Sequence, residues 1–132
     1  MFSAEGNNSI VGFAYGRVPL TVDMVWNLLI GAFEGGCPWM MVESVTYGEG
    51  LDRSSFTYSH EIPFAEGCSM VIRDCEDPSL KGELSLETIK AGLRKFQKVA
   101  PKHFKDWMQE NDDAVTSSAF LEVVLFGEVV FC

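Results

Sequence analysis

Leu84-Ser85-Leu86-Glu87 opens the stretch whose reading decides the fold. An amphipathic run follows to Val99, then Pro101-Lys102-His103-Phe104-Lys105-Asp106-Trp107. Glu110-Asn111-Asp112-Asp113-Ala114 comes next, and then an apolar run broken by Phe126-Gly127-Glu128. Ser85 is a helix cap, since its hydroxyl can accept from a free first-turn N–H. Ile89, Leu93 and Phe96, with Leu86, recur at the spacing of one helical face, which predicts a helix over Leu86–Val99. Lys90, Arg94, Lys95 and Lys98 decorate its other sides and gather toward the C-terminal end, where cations favour the helix dipole. Pro101 begins a short third helix as its first residue, with Phe104, Trp107 and Met108 as the buried edge. Asn111-Asp112-Asp113 reads as a structural turn, and Thr116 as the cap of a fourth helix carrying Ala119, Phe120, Val123, Val124 and Phe126. Val123-Val124-Leu125-Phe126 is rich in strand formers, so a strand from Glu122 onward stays open.

Working outward, Thr21 caps a helix expected over Val22–Glu34, which Gly35-Gly36 and then Pro38 stop. Ser9–Val18 reads as a strand or strand-like arm. Trp39–Tyr47 reads as a strand with Trp39, Met41, Val45 and Tyr47 on one face and Met40, Val42, Ser44 and Thr46 on the other. Leu51–Glu61 is polar with isolated aromatics, a loop or weak edge strand. Cys68–Cys75 is a second strand, with Met70 and Ile72 opposite Val71, and Asp77-Pro78 is a turn. The sum is an α+β protein: a small, mainly antiparallel sheet packed by three or four helices. Its 132 residues suit a single domain, 1–132.

Composition bounds the partners. The net charge of −9 disfavours direct nucleic-acid binding, which rests on cations neutralising phosphates, and suits a protein partner with a basic surface. Ten Phe, three Trp and three Tyr are more large rings than a small core hides, which predicts a homodimer. The polar start, Met1–Asn8, lacks the regions of a signal peptide, and no apolar run is long enough to span a bilayer. The expected place is the cytoplasm, with Cys37, Cys68, Cys75 and Cys132 reduced and buried or incidental.

Together, Glu34-Gly35-Gly36 followed by Trp39, the Pro-x-His-Phe segment at Pro101–Phe104, Glu110-Asn111-Asp112-Asp113-Ala114 and Phe126-Gly127-Glu128 resemble a group of small uncharacterised proteins of tailed phages and prophages. The similar parts cover Thr21–Tyr47 and Leu84–Val130. The resemblance implies a viral accessory protein acting in a host bacterial cytoplasm, and it transfers no catalytic residue.

The chemistry-bearing residues are sparse. Asp112 and Asp113 with Glu110 offer too few alternating oxygens for a calcium loop, so the turn is read as capping and no metal is assigned. His103 with Asp106, and His60 with Glu61, are weak acid–base candidates. Ser54-Ser55 and Ser117-Ser118 lack a glycine elbow, and Gly31, Gly35 and Gly36 end a helix rather than open a phosphate loop. Trp39, Tyr47, Phe56 and Tyr58 can form a stacking surface with Arg53 or Arg73 toward a phosphate, or serve as core and sheet packing. Leu51–Glu66 is the expected functional loop, and Trp39, Tyr47, Arg53, Phe56, Tyr58 and Glu61 are the candidate protein- or ligand-binding residues. No enzyme activity and no cofactor are expected. The leading expectation is a non-enzymatic phage protein that inhibits a host antiviral defence protein, anti-CRISPR-like or otherwise. The alternative is a sponge that sequesters a nucleotide immune signal, and a small enzyme ranks third.

Overall fold

The computed structural model describes residues 7–131. The reading of Met1–Asn8 falls mostly outside them, and that of Cys132 wholly outside. The architecture is α+β. A two-stranded hairpin, β1 (Ile10–Ala14) with β2 (Val18–Thr21), leads into α1 (Val22–Gly31). A three-stranded antiparallel sheet follows, with β3 (Met40–Thr46), β4 (Ser69–Asp74) and β5 (Lys81–Leu84) in that spatial order. Three helices complete the described chain: α2 (Leu86–Val99), α3 (Pro101–Met108) and α4 (Ala114–Phe126).

Local chemistry accounts for most helix boundaries. The Thr21 hydroxyl accepts the Met24 N–H, and the Ser85 hydroxyl accepts that of Thr88. Pro101 stands at the start of α3. The cap of α4 is Asp113, not Thr116: the Asp113 carboxylate accepts the Thr116 N–H at 3.0 Å, and the Thr116 hydroxyl accepts the Asp113 N–H. Asp113 is extended and Thr116 is the third helical residue, so the two form a reciprocal box. The turn is therefore structural, as read.

α4 is the centre of the molecule. Thr116–Val123 and Leu125 are all buried, so the helix is covered on every side. This decides the open end in favour of helix as far as Phe126. A helix bonds its backbone within itself and so tolerates burial on all sides, and Gly127 at φ 82° closes it. Glycines let neighbouring elements approach α4 closely. A Cβ on Gly82 of β5 would collide with the Leu125 carbonyl, and one on Gly92 of α2 would stand 2.5 Å from a Val124 methyl. Phe96, Phe104, Trp107 and Phe120 meet edge to face or tilted around this helix, all fully buried.

Several expectations change. Ser9–Val18 is not one arm but the first strand and turn of the β1–β2 hairpin. Tyr15 and Gly16 both take positive φ, 53° and 77°, which matches the twist of a tight hairpin. The first helix is regular only to Gly31, and Ala32–Gly36 continue as a wide π turn. In β3 a bulge between Val42 and Ser44 leaves Glu43 without a cross-strand partner. Met40 and Val45 then pair with Asp74 and Met70 and are half-buried, while Met41, paired with Arg73, and Val42, paired with Ile72, are both exposed. The single alternation expected from Trp39 to Tyr47 fails because the bulge resets the faces. Leu51–Glu61 is not an edge strand: it holds two 3-10 turns, Arg53–Ser55 and Ser59–Phe64. Finally, β5 has no sequence signature of its own. Lys81-Gly82-Glu83 is polar, and only Leu84 is buried.

Candidate functional site

Thr46 pairs with Ser69, so residues 47–68 form one long hairpin connection. Its ends are drawn together. Gly48 has no room for a side chain against the Glu66 carbonyl, Gly67 takes a positive φ of 75°, and the Gly48 N–H donates to the Cys68 sulfur. The connection is therefore a compact excursion with its own internal bonds. The Asp52 carboxylate accepts the Ser54 N–H and hydroxyl, and those bonds hold it below the ordinary carboxylate pKa. The Arg53 guanidinium donates to the Phe56 carbonyl at 3.0 Å. One Glu61 carboxylate oxygen accepts both the Thr57 and Tyr58 N–H groups, at 2.9 and 3.1 Å.

Two clefts flank this excursion. The first, of about 490 Å³, lies between it and the end of α1; Arg53, Tyr58, Ser59 and His60 face Glu34 and Phe33 across it. The Tyr58 and His60 rings stack at 5.5 Å with 13° between their planes. The edge of Trp26 closes on His60 from behind, and Phe64 meets Trp26 edge to face. Burial holds His60 below its ordinary pKa, against the opposing pull of Glu61 and Glu34. Among the described residues no hydrogen bond joins His60 to a carboxylate or hydroxyl, so the cleft presents a largely neutral stacking wall with one cation and one carboxylate at its rim.

The second cleft, of about 500 Å³, lies at the other end of the excursion, where Phe64–Ser69 face β5 and the first turn of α2. Glu66, Glu83 and Glu87 line it and all three are exposed, and among the described residues no Lys or Arg lines it. At the start of α2 the Ser85 hydroxyl accepts the Thr88 N–H, and the three carboxylates are exposed to solvent.

The structure brings together only part of the expected set. Arg53 and Tyr58 line the first cleft, and Glu61 shapes it from below. Phe56 and Tyr47 stack on each other at 6.2 Å beside it. Trp39 is not part of this surface. It is 9% exposed, stacks on Phe131 at 4.9 Å, and donates its indole N–H to the Ser118 hydroxyl. Ser118 donates in turn to the Glu122 carboxylate, which also accepts the Val130 and Phe131 N–H groups. Trp39 thus belongs to an internal network that fastens the C-terminal segment. Arg73 is likewise occupied, 3.7 Å from Glu43 on the outer sheet face beside Lys81. His103 shares no hydrogen bond with Asp106, and its Nδ1 is buried without a partner among the described residues. Sequence reasoning ranked His60 low and missed Glu34, Glu66, Glu83 and Glu87, because their convergence depends on where the excursion folds back.

No family model, curated protein or solved structure matches the chain. No described helix is long and apolar enough to cross a membrane. The site therefore has to be judged by its own chemistry.

Proposed function

We propose that this is a non-enzymatic binding protein that docks a basic surface of a partner protein against the acidic cleft and the excursion beside it. Charge distribution carries this reading. Residues 34–87 hold eleven carboxylates against three cations, and two of those cations, Arg73 and Lys81, stand beside Glu43. The acidic cleft is left for the cations of a partner, where Arg or Lys can reach carboxylates inside a concavity. The resemblance to phage and prophage proteins supports a viral accessory role, and by analogy with such proteins the proposed partner is a host antiviral defence protein, inhibited by occlusion of its basic surface in the bacterial cytoplasm.

The test is affinity capture from a bacterial lysate, with mass spectrometry of both proteins and small molecules. Wild type should retain a protein with a basic surface. A variant carrying Glu66→Lys, Glu83→Lys and Glu87→Lys should lose it while melting normally. Raising salt should slow association more than it speeds dissociation, since such attraction is screened beyond about 10 Å at 0.1 M. A protein retained equally by the variant would sink the reading.

The stacked pair at Tyr58 and His60 supports a second reading, a sponge for a nucleotide signal. Among the described residues Arg53 is the one Lys or Arg that lines this cleft, and Glu34 opposes a phosphate there. Capture of a nucleotide by wild type, lost in Tyr58→Ala, would put this reading first.

A further inference from the structure

The net charge averages over two unlike poles. From Thr88 to Lys105 the chain has no carboxylate and six cations: Lys90, Arg94, Lys95, Lys98, Lys102 and Lys105. All six are exposed, and none is ion-paired among the described residues. Lys95 turns toward the C-terminal end of α4, close to Gly127, where a cation complements the helix dipole. Lys90, Arg94 and Lys98 repeat at four-residue spacing along α2, a line of charges about 6 Å apart. Lys102 continues from the start of α3.

Beside this line stands the β1–β2 hairpin. Gln97 follows Lys90 and Arg94 at seven and three residues, so it shares their side of α2. Its amide donates to the Phe13 carbonyl at 2.9 Å and accepts the Tyr15 N–H at 3.0 Å. The hairpin tip is thereby pinned to the helix. Tyr15 packs on the edge of Phe104, yet remains 64% exposed. Phe13 is paired with Pro19 on the outward face of the hairpin and is 48% exposed. Two aromatic rings are thus held in the open by buried or bonded supports, next to an unpaired row of cations. Core packing does not require them there.

We infer that α2 and the β1–β2 hairpin form a docking surface for single-stranded nucleic acid. The cation row tracks the phosphates, and Phe13 and Tyr15 receive bases. The geometry favours this occupant on two grounds. The charges form a line, which suits a linear polyanion more than a plane of lipid headgroups. The exposed rings offer stacking, which an acidic peptide does not use. Glu87 of the acidic cleft stands one turn before Lys90 on α2, but none of the cations or rings used here lines either cleft, so this inference stands or falls apart from the proposed function.

Fluorescence anisotropy of a labelled oligothymidylate of about 20 nucleotides tests it on the full chain. Wild type should bind, and contact of four cations with phosphates should weaken binding roughly 50-fold between about 50 and 200 mM salt. Lys90→Glu with Arg94→Glu should abolish binding with the melting temperature unchanged. Phe13→Ala should weaken it about 5- to 160-fold, the range for loss of one stacked base, and Phe13→Trp should restore it. Polyglutamate and anionic vesicles are the competing ligands. Absence of oligothymidylate binding at the lower salt overturns the inference. So does binding to either competitor as tight as to the oligonucleotide and indifferent to Phe13→Ala, as does a stable dimer that hides Phe13 and ignores the oligonucleotide.

Discussion

α4 and the 47–68 excursion are the two extremes of this protein. α4 holds its place by burial on all sides, including a glutamate at 0% exposure. The excursion holds its shape by short-range bonds between its own residues, and most of its side chains reach water. The first is a scaffold that tolerates little change. The second is a surface whose chemistry can vary while the fold stands. A helix at the centre and a self-bonded loop at the rim separate stability from recognition, so substitutions should sort cleanly between them.

The largest effect should come from Trp107→Ala. Trp107 is fully buried between Phe104 and Phe120, and such truncations cost about 3–5 kcal/mol through lost transfer energy and the cavity left behind. Chemical denaturation measures it. A cost below about 1 kcal/mol would mean that the helices around α4 pack loosely and would break the contrast.

Glu122→Ala should come next, at about 2 kcal/mol or more. It leaves the buried Ser118 hydroxyl without its acceptor, and an unsatisfied buried group costs about 1–3 kcal/mol, while it also frees the part-buried Val130 and Phe131 N–H groups. Hydrogen exchange at Val130 and Phe131 should quicken in the variant. Unchanged exchange there would show that the C-terminal segment is fastened by its rings alone.

Asp113→Ala should cost about 0.5–2 kcal/mol at neutral pH through the lost cap of α4. Hydrogen bonding from the Thr116 N–H, supported by its hydroxyl, lowers the Asp113 pKa below its ordinary 3.8. The stabilisation is therefore complete above that ordinary value and is lost as pH falls through the lower, folded one. The gap between wild type and Asp113→Ala should narrow over that acid range. A gap that persists in full at the acid end would assign the effect to helix propensity. Asp112→Ala, one residue away, should cost much less, because Asp112 supplies no such cap.

Tyr58→Ala and Arg53→Ala should change stability least, within about 0.5 kcal/mol, since both side chains are exposed. Thermal melting checks this. A cost comparable to that of Asp113→Ala would show that the excursion is part of the scaffold, and would sharpen the boundary by moving it outward.

The boundary between what could be read early and what could not follows the same division. Ser85, Pro101 and Thr21 act on neighbours three or four residues away, so α2, α3 and the start of α1 were legible. Met70 and Ile72 announced β4 by alternation. The α+β class followed from these. Asp113 was legible as part of a turn but not as the cap, because Thr116 satisfies the same local rule three residues later. Of the candidate site, Arg53, Tyr58 and the polar excursion were visible by composition. Trp39 misled, because a ring beside a strand carries no mark of which side will be covered.

The sequence by itself determined the starts of α1, α2 and α3, each set by residues within a turn of one another, and the excess of carboxylates. Only the tertiary structure decided the rest. It set the bulge at Glu43, the pairing that makes Lys81–Leu84 a strand, the burial that keeps Val123–Phe126 helical, and the segregation of charge into an acidic rim and a basic helix. These outcomes depend on partners tens of residues away along the chain. Net charge is a sum, and a sum holds no information about which face each charge occupies.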